Sequence, residues 1–222
     1  MAAKASGLHL RNWKAHCECS VRKKDVLMLT EIKSQIRASV AVKVALLADE
    51  KLLGQIHQLA QTCLGALRAG GKIIFAGNGG SFADAQHLAA EFTSRFLFDR
   101  APLASIALAT NNSAISAMGN DYGYEQVFAR ELQAIGKPED VFIAISTSGN
   151  SANILAAVMV AKELSVATIA WTGESGGKLK KLCDCICVPS SETARIQECH
   201  ILIGHIVCGL VEAAYFKEGR KS

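Results

Sequence analysis

Hydrophobic positions recur along the chain with two different periods, and the change between them divides the sequence. In residues 29–48 and 50–69, apolar residues recur at intervals of three and four, which predicts two amphipathic helices. Gly70 and Gly71 follow and are expected to end the second helix. Beyond them, short apolar runs alternate with helical segments, which is the pattern of strands buried on both faces.

This second region predicts five pairs of strand and helix. The predicted strands are residues 72–77, 105–110, 141–146, 166–173 and 185–189. The helical segments are residues 81–96, stretches up to about 135, then 151–164, 176–183 and 192–216. This alternation favours an α/β fold, a flavodoxin-like doubly wound five-stranded parallel sheet, with the two N-terminal helices packed outside it. Because ligands bind beyond the carboxyl ends of such strands, the loops after strands one and three are the candidates for function.

Composition agrees with a folded protein that does not cross a membrane. Half of the 222 residues are hydrophobic and 20% are charged, so the chain can bury a sizeable core. No uninterrupted apolar run reaches the roughly eighteen residues that a membrane span needs. The eight cysteines show no CxxC spacing, and a signal-peptide pattern is missing. We therefore expect free thiols in the cytoplasm rather than disulfides or a cysteine zinc site.

The formal net charge of +4 belongs to the first 27 residues. They hold six basic and two acidic residues, whereas residues 28–222 are balanced. We expect residues 1–27 to be a basic, disordered N-terminal extension, or the working chain to start at Met28. Nucleic-acid binding by this extension is the alternative. Residues 28–222 are expected to form one domain that binds neither nucleic acid nor a membrane.

Two loops at the predicted carboxyl edge carry the residue types of an anion site. Strand one ends in GNGGS, which starts at Gly77, and strand three ends in STSGNS, which starts at Ser146. Glycines let backbone N–H groups approach an anion, the following helix N-termini add positive charge, and hydroxyls add donors. No Walker lysine follows, which excludes a nucleotide P-loop. Serine and asparagine could instead simply cap the helices, but two such loops together favour a bound phosphate.

A histidine and a glutamate share one face of the helix after strand one. His87 and Glu91 stand four residues apart, so their side chains are neighbours on a helix. That spacing suits two metal ligands, or an acid and a base that act on one substrate. It also occurs on solvated helix faces, so the pattern alone leaves all three interpretations open.

Five motifs taken in order resemble the sugar isomerase (SIS) domain family. They are GNGGS at a helix start, HLAAE within that helix, NDYG, STSGNS, and ARIQECH with a later histidine. Within this family the sequence is most similar to the phosphoheptose isomerases, from about Met28 to the last helix. The resemblance implies isomerisation of sedoheptulose 7-phosphate to D-glycero-D-manno-heptose 7-phosphate through an enediol. In bacteria this is the first step of ADP- or GDP-heptose synthesis for lipopolysaccharide core or capsule.

The resemblance also implies which residues form the site. One zinc ion per subunit would be held by His87, Glu91, Gln197 and His205. Glu91 and His205 would be the catalytic pair, with Glu91 as the expected base and an exchange of roles left open. Glu91 and Gln197 would also bind substrate, together with Asn78, Gly79, Gly80, Ser81, Asn120, Asp121, Ser146, Thr147, Ser148 and Ser151. The family further implies a homotetramer with active sites at subunit interfaces.

Several alternatives remain at this point. His200 lies nearer to Gln197 than His205 does, and the resemblance favours His205, which leaves His200 as a structural or supporting residue. Asp121 could cap the NDYG turn instead of binding sugar. A non-catalytic SIS adaptor that binds the replication initiator protein would keep the fold and the loops without a metal set. An arabinose 5-phosphate isomerase would usually carry added regulatory domains, for which no residues remain.

Overall fold

A computed structural model describes the backbone from Gly7 to Lys217 and the side chains of residues 26–216. The chain divides into two compact units, Met1–Ala41 and Val42–Ser222. The described part of the first unit is helical and belongs to α1, Gly7–Leu47. The second unit contains the sheet and the remaining helices.

Helix α1 begins well before Leu29, where the apolar pattern predicts its start. After Gly7 the segment holds neither proline nor glycine as far as Leu29, so nothing in its residues interrupts a helix. The expectation of a disordered extension over residues 1–27 is therefore wrong for the backbone from Gly7 onward. Residues 1–6 lie outside the described residues, and the division of the chain at Met28 stays a prediction.

The described residues of the second unit form a five-stranded, all-parallel sheet, which confirms the predicted fold class. Its spatial order is β2-β1-β3-β4-β5, so that β1 and β3 are neighbours and their carboxyl ends lie side by side. The strands are β1 Ile73–Ala76, β2 Ser105–Ala107, β3 Val141–Ile145, β4 Ala167–Thr172 and β5 Asp184–Cys187.

Helices cover both faces of this sheet. They are α2 Glu50–Arg68, α3 Gly80–Thr93, α4 Asn112–Tyr122, α5 Val127–Ile135, α6 Ala152–Glu163 and α7 Thr193–Lys217, with 3₁₀ turns at Tyr124–Gln126 and Leu179–Lys181. Alternate strand residues point to opposite faces, as strand geometry requires. Ile73 and Phe75 pack in the core shared with α2, α3 and α7, whereas Ile74 packs in the core shared with α5 and α6. The loops after β1 and β3 thus sit at one rigid edge.

Helix α7 is apolar enough to be mistaken for a membrane span. Thr193–Phe216 is long enough to cross a membrane, and its most apolar window has a mean hydropathy of 1.6. Polar and charged residues interrupt this segment, so it contains no uninterrupted apolar run of that length. However, 44% of that window is buried inside the protein, and α7 packs against α2 and α3. We assign α7 to the core, where an apolar helix needs no lipid.

Candidate active site

Helices α3 and α7 pack closely enough to join residues that are distant in sequence. Gly204 on α7 faces Leu88 on α3, and an added Cβ at Gly204 would lie 2.5 Å from both Leu88 Cδ atoms. A larger residue at position 204 would push the helices apart. His205 and His87, which adjoin this contact on the two helices, meet across a separation of 118 residues.

Two imidazoles and one carboxylate converge beside this contact. His87 Nε2 lies 2.9 Å from His205 Nε2 and 3.2 Å from Glu91 Oε1. One ligand atom of each residue lies within 4.8 Å of the other two. Water reaches the cluster, since the His87 side chain is 48% exposed and that of Glu91 is 21% exposed. The structure therefore brings together three of the four expected metal ligands.

A buried ion pair supports both sides of this cluster. Glu212 on α7 accepts hydrogen bonds from the Phe96 backbone N–H and from Arg100 Nε, each at 2.9 Å. Arg100 Nη2 also donates to the Glu91 carbonyl oxygen at 2.8 Å, and the Phe96 ring stacks on the His205 ring with centroids 5.6 Å apart. Burial alone would raise the pKa of Glu212, but backbone N–H donors and Arg100 together hold that pKa below its usual value. The sequence gives no signal for this pair, because Arg100 and Glu212 are 112 residues apart.

The donors at this site suit a zinc ion. Zinc accepts imidazole nitrogen and carboxylate oxygen readily, and these are the atoms that His87, Glu91 and His205 present. Gln197 lies on the same side of α7, since a Cβ added at Gly80 on α3 would come within 2.7 Å of Gln197 Nε2. The chemistry of the donor set therefore fits the metal, while the place of Gln197 as a ligand stays a prediction.

Asp84 is a further acidic residue on α3 that sequence analysis missed. It lies one turn before His87, and its Oδ2 atom is buried without a hydrogen-bond partner among the described residues. Burial raises the pKa of the Asp84 carboxyl, and the nearby His87 partly offsets that rise. The spacing of three residues from His87 was the available signal, because such residues are helix neighbours.

The loop after β3 presents the hydroxyl groups expected of a phosphate site. Ser146 Oγ and Ser151 Oγ lie 3.0 Å apart, and Ser148 is exposed at the tip between them. Although Ser151 occupies the N-cap position of α6, its side chain makes no capping hydrogen bond. Its hydroxyl therefore faces the loop, which weakens the simple capping interpretation of this motif. Thr147 is fixed through its carbonyl oxygen, which accepts from the Gly173 N–H at 2.8 Å.

A pair of asparagines joins this loop to the one after β1. Asn78 Nδ2 donates to Asn153 Oδ1, and Asn153 Nδ2 donates back to Asn78 Oδ1, both at 2.9 Å. The Tyr124 hydroxyl adds a third hydrogen bond to Asn78 at 3.2 Å. The sequence pattern pointed to Asn78 but not to Asn153 or Tyr124. Asn153 lies two residues after Ser151, the last residue of the STSGNS motif, and this closeness was the available signal.

The other predicted sugar-binding residues divide into two groups. Gly79 has a φ of +56°, a conformation that favours glycine, and begins α3 together with Gly80 and the buried Ser81. Asn120 and Asp121 lie instead at the exposed end of α4, where Asn120 Nδ2 donates to Asp121 Oδ1 at 2.8 Å. Neither residue lines the pocket of about 100 Å³ beside Gly79. Their contact with substrate stays a prediction.

The second histidine of α7 belongs to the core. His200 is fully buried, and its Nε2 atom lies 3.3 Å from the Thr172 carbonyl oxygen. Burial lowers the pKa of His200 to about 4, so its ring is neutral near pH 7. This placement agrees with the structural role left open by the sequence and separates His200 from the exposed His87 cluster.

Comparisons with known proteins agree with this architecture. The SIS domain family matches residues 39–173. A phosphoheptose isomerase from Aneurinibacillus thermoaerophilus is 57% identical over 187 residues, which cover 84% of this chain and 94% of that relative. A phosphoheptose isomerase from Burkholderia pseudomallei (strain K96243) is 50% identical over 189 residues, covering 85% and 96% respectively.

Solved structures point the same way. The phosphoheptose isomerase from Neisseria gonorrhoeae is similar with a TM-score of 0.78 and 41% identity, covering 84% of this chain and 99% of that one. The phosphoheptose isomerase from Francisella tularensis has the same TM-score at 38% identity, covering 83% and 97%. The family match, the identities and the shared fold together show that this chain belongs to the SIS domain family and, within it, to the phosphoheptose isomerases.

Proposed function

We propose that this enzyme converts sedoheptulose 7-phosphate to D-glycero-D-manno-heptose 7-phosphate through an enediol. The proposal rests on the convergence of His87, Glu91 and His205 where α3 and α7 pack together. Helix α3 begins beside the loop after β3, which is the proposed phosphate site. Histidine and carboxylate side chains that converge in one solvent-accessible site are candidates for general acid–base chemistry. The relatives named phosphoheptose isomerase support the same reaction.

The phosphate group would bind at the loop after β3. Ser146, Thr147, Ser148 and Ser151 supply hydroxyls, and the N-terminus of α6 supplies backbone N–H groups without a competing side-chain cap. The Asn78–Asn153 hydrogen bonds place this loop against the start of α3. From there to His87, α3 rises about 10 Å. That span is comparable to the length of a seven-carbon sugar phosphate from its phosphate to C1 and C2.

Glu91 is the proposed base for the proton that moves between C1 and C2. Its carboxylate accepts that proton, and the enediol then takes it back at the neighbouring carbon. His205, held by the Phe96 ring, is placed to move protons at the sugar oxygens. A zinc ion bound by His87, Glu91, Gln197 and His205 would polarise those oxygens and stabilise their negative charge. If Glu91 is held by the ion throughout, His205 takes the role of base.

A homotetramer with active sites shared between subunits is the proposed assembly. On α1, Leu29, Ile32, Ile36 and Val40 follow one another at helical spacing, and each side chain is more than half exposed. Such a stripe is a surface that another copy of the chain would cover. Light scattering at micromolar concentration tests this, because the proposal expects four subunits and a monomer would contradict it.

The proposed location is the cytoplasm, where the product would enter heptose synthesis for lipopolysaccharide core or capsule. All cysteines in the described part of the chain are free thiols, as expected in a reducing compartment. The adaptor alternative receives no support from the site. An adaptor would have no use for two histidines and a glutamate placed together, whereas proton transfer at a sugar carbon needs them.

Incubation with sedoheptulose 7-phosphate tests the proposed reaction. We expect NMR to detect a heptose 7-phosphate, with faster formation when Zn²⁺ is supplied after chelation. The matched control is Glu163→Gln, which changes an exposed glutamate on α6 and should react at the unaltered rate. No product from the unaltered protein in the presence of Zn²⁺ would overturn the proposal.

A further inference from the structure

Two cysteines lie side by side where β5 begins. Cys183 directly precedes the strand and Cys185 is its second residue, so their side chains alternate onto the same face of the sheet. Both are half-buried and pack against the core shared with α6. They lie at the amino edge of the sheet, opposite the edge that carries the loops after β1 and β3.

Each thiol lies beside a backbone carbonyl of this segment. The Cys185 thiol approaches the Cys183 carbonyl oxygen at 3.6 Å, and the Cys183 thiol approaches the Leu179 carbonyl oxygen at 3.8 Å. The neighbouring Cys185 side chain lowers the pKa of Cys183, and the backbone N–H of Ala170 adds to this effect, while burial and Asp184 oppose it. The pKa of Cys185 is raised, first by the Cys183 side chain and then by burial. Cys183 is thus the more acidic thiol of the pair.

Basic side chains surround the opening to Cys183. A pocket of about 470 Å³ is lined by Cys183, Asp184, Lys162, Lys180 and Lys181, among other residues. Three lysines and one aspartate give the opening a net positive charge, which is the kind of surrounding in which reactive cysteines occur. Because the pocket is open to solvent, a reagent can reach the sulfur.

The buried cysteines of the chain offer a contrast. Cys63 on α2 and Cys208 on α7 are buried in the core, and burial raises the pKa of Cys63 to about 12. Burial also raises the pKa values of Cys199 and Cys208. Thiols of this kind are inert, because the nucleophile is the thiolate.

We propose that Cys183 and Cys185 form a dithiol that hydroperoxides oxidise to an intramolecular disulfide, with Cys183 as the attacking sulfur and Cys185 as the resolving one. The Cys183 thiolate attacks one peroxide oxygen, so an S–O bond forms, the O–O bond breaks, and hydroxide leaves and is protonated to water. Cys185 then loses its proton and attacks the Cys183 sulfur, which forms the S–S bond and releases the second water. Two thiols and one hydrogen peroxide thus give one disulfide and two waters.

This site is independent of the isomerase site. Cys183 lies where β5 begins, at the amino edge of the sheet and on the side covered by α6, whereas the loop after β3 lies at the carboxyl edge and His87 and Glu91 lie on α3, which packs against α7. Replacing Cys183 by serine should therefore leave turnover of sedoheptulose 7-phosphate unchanged. Failure of the oxidation proposal and failure of the proposed function can then be told apart.

Oxidation of the full chain, followed by mass spectrometry, tests the proposal. The reduced protein is treated with hydrogen peroxide, remaining thiols are alkylated, and peptides are mapped without reduction. We expect a Cys183–Cys185 linkage that forms at least about tenfold faster than any modification of Cys187, a half-buried cysteine on the same strand. In Cys185→Ser, dimedone should trap a sulfenic acid on Cys183, whereas Cys187→Ser should behave as the unaltered protein.

Two results would overturn the proposal. In the first, the unaltered protein forms no Cys183–Cys185 linkage, and Cys183 and Cys187 are modified at equal rates. The other is a Cys185→Ser variant whose Cys183 is no more reactive towards dimedone than Cys187. The unaltered chain provides the first comparison, so the test does not depend on how the variants fold.

Discussion

The loop after β3 and the cluster between α3 and α7 are built in opposite ways. The loop takes its hydroxyls from six consecutive residues, 146–151, which lead directly into the N-terminus of α6. The cluster takes its groups from α3 and α7 and forms only where these two helices touch, because His87 and His205 are 118 residues apart in the sequence. A phosphate carries permanent charge and can be held by local dipoles, whereas proton transfer needs titratable groups from several elements at one carbon.

Replacing His205 should remove most of the catalytic contribution of the cluster between α3 and α7. His205→Gln removes an imidazole that moves protons at the substrate oxygens. We expect kcat for sedoheptulose 7-phosphate to fall by on the order of 10²–10⁴, the usual contribution of positioned acid–base groups. The control is His57→Gln, which changes an exposed histidine on α2. Equal kcat values for the two variants would show that His205 takes no part in catalysis.

Widening the gap between the helices should disturb the cluster without changing any of its members. Gly204→Ala places a Cβ against the two Leu88 Cδ atoms, and because Leu88 is fully buried, we expect the strain to reach the helices and displace His205 from His87. We expect kcat to fall about tenfold, and overpacking to cost roughly 1–3 kcal/mol of unfolding free energy. Gly54→Ala, where an added Cβ meets no atom within 4 Å, is the control and should keep full activity. Full activity in Gly204→Ala would show that the close approach is not needed.

A change in the loop should give the opposite kinetic profile. Ser148→Ala removes one exposed hydroxyl from the proposed phosphate site. We expect binding of sedoheptulose 7-phosphate, measured by calorimetry, to weaken about tenfold or more, because a hydrogen bond to a charged group contributes about 1.5 kcal/mol or more. Turnover at saturating substrate should change less. Ser113→Ala, on the exposed start of α4, should leave both quantities unaltered; a large fall in kcat with unchanged binding would contradict the assigned role of Ser148.

The buried histidine of α7 should affect stability rather than catalysis. The pKa of His200 is lowered from 6.5 to about 4 by burial, so the unfolded chain binds a proton in this interval while the folded chain does not. Stability from the neutral ring is therefore fully present above pH 6.5 and is lost as the pH falls towards 4, by up to about 3 kcal/mol. Denaturant unfolding at pH 7 and pH 4.5 should show a smaller decrease for His200→Leu than for the unaltered protein. Equal decreases would contradict a neutral His200.

The sequence predicted those parts of the fold that depend on local patterns. All five strands appear within two residues of their predicted starts, because apolar runs between helices have few other ways to be buried. The adjacency of β1 and β3 followed from the expected doubly wound topology and is confirmed. The start of α1 at Gly7 was missed, since helix propensity without an apolar face leaves no periodic signal.

The site was predictable only in part. From the residues alone, the two loops and the His87–Glu91 spacing were visible, whereas His205 came from the resemblance, because a contact across 118 residues has no local signature. Arg100 and Glu212 were missed for the same reason, although they fix the chain on both sides of the cluster. Asn120 and Asp121 lie at the exposed end of α4, where Asn120 donates to Asp121, and their predicted contact with the sugar stays a prediction.

The most direct test of the account is the behaviour of Glu91→Gln, which keeps the size of the side chain and removes its charge and basicity. Formation of heptose 7-phosphate from sedoheptulose 7-phosphate is followed by NMR, and substrate binding is measured by calorimetry on the same preparation. If Glu91 moves the proton and the loop holds the phosphate, kcat falls by on the order of 10²–10⁴ while the Kd changes by less than about threefold. Turnover equal to that of the Glu163→Gln control would contradict the central claim that the α3–α7 cluster performs the chemistry.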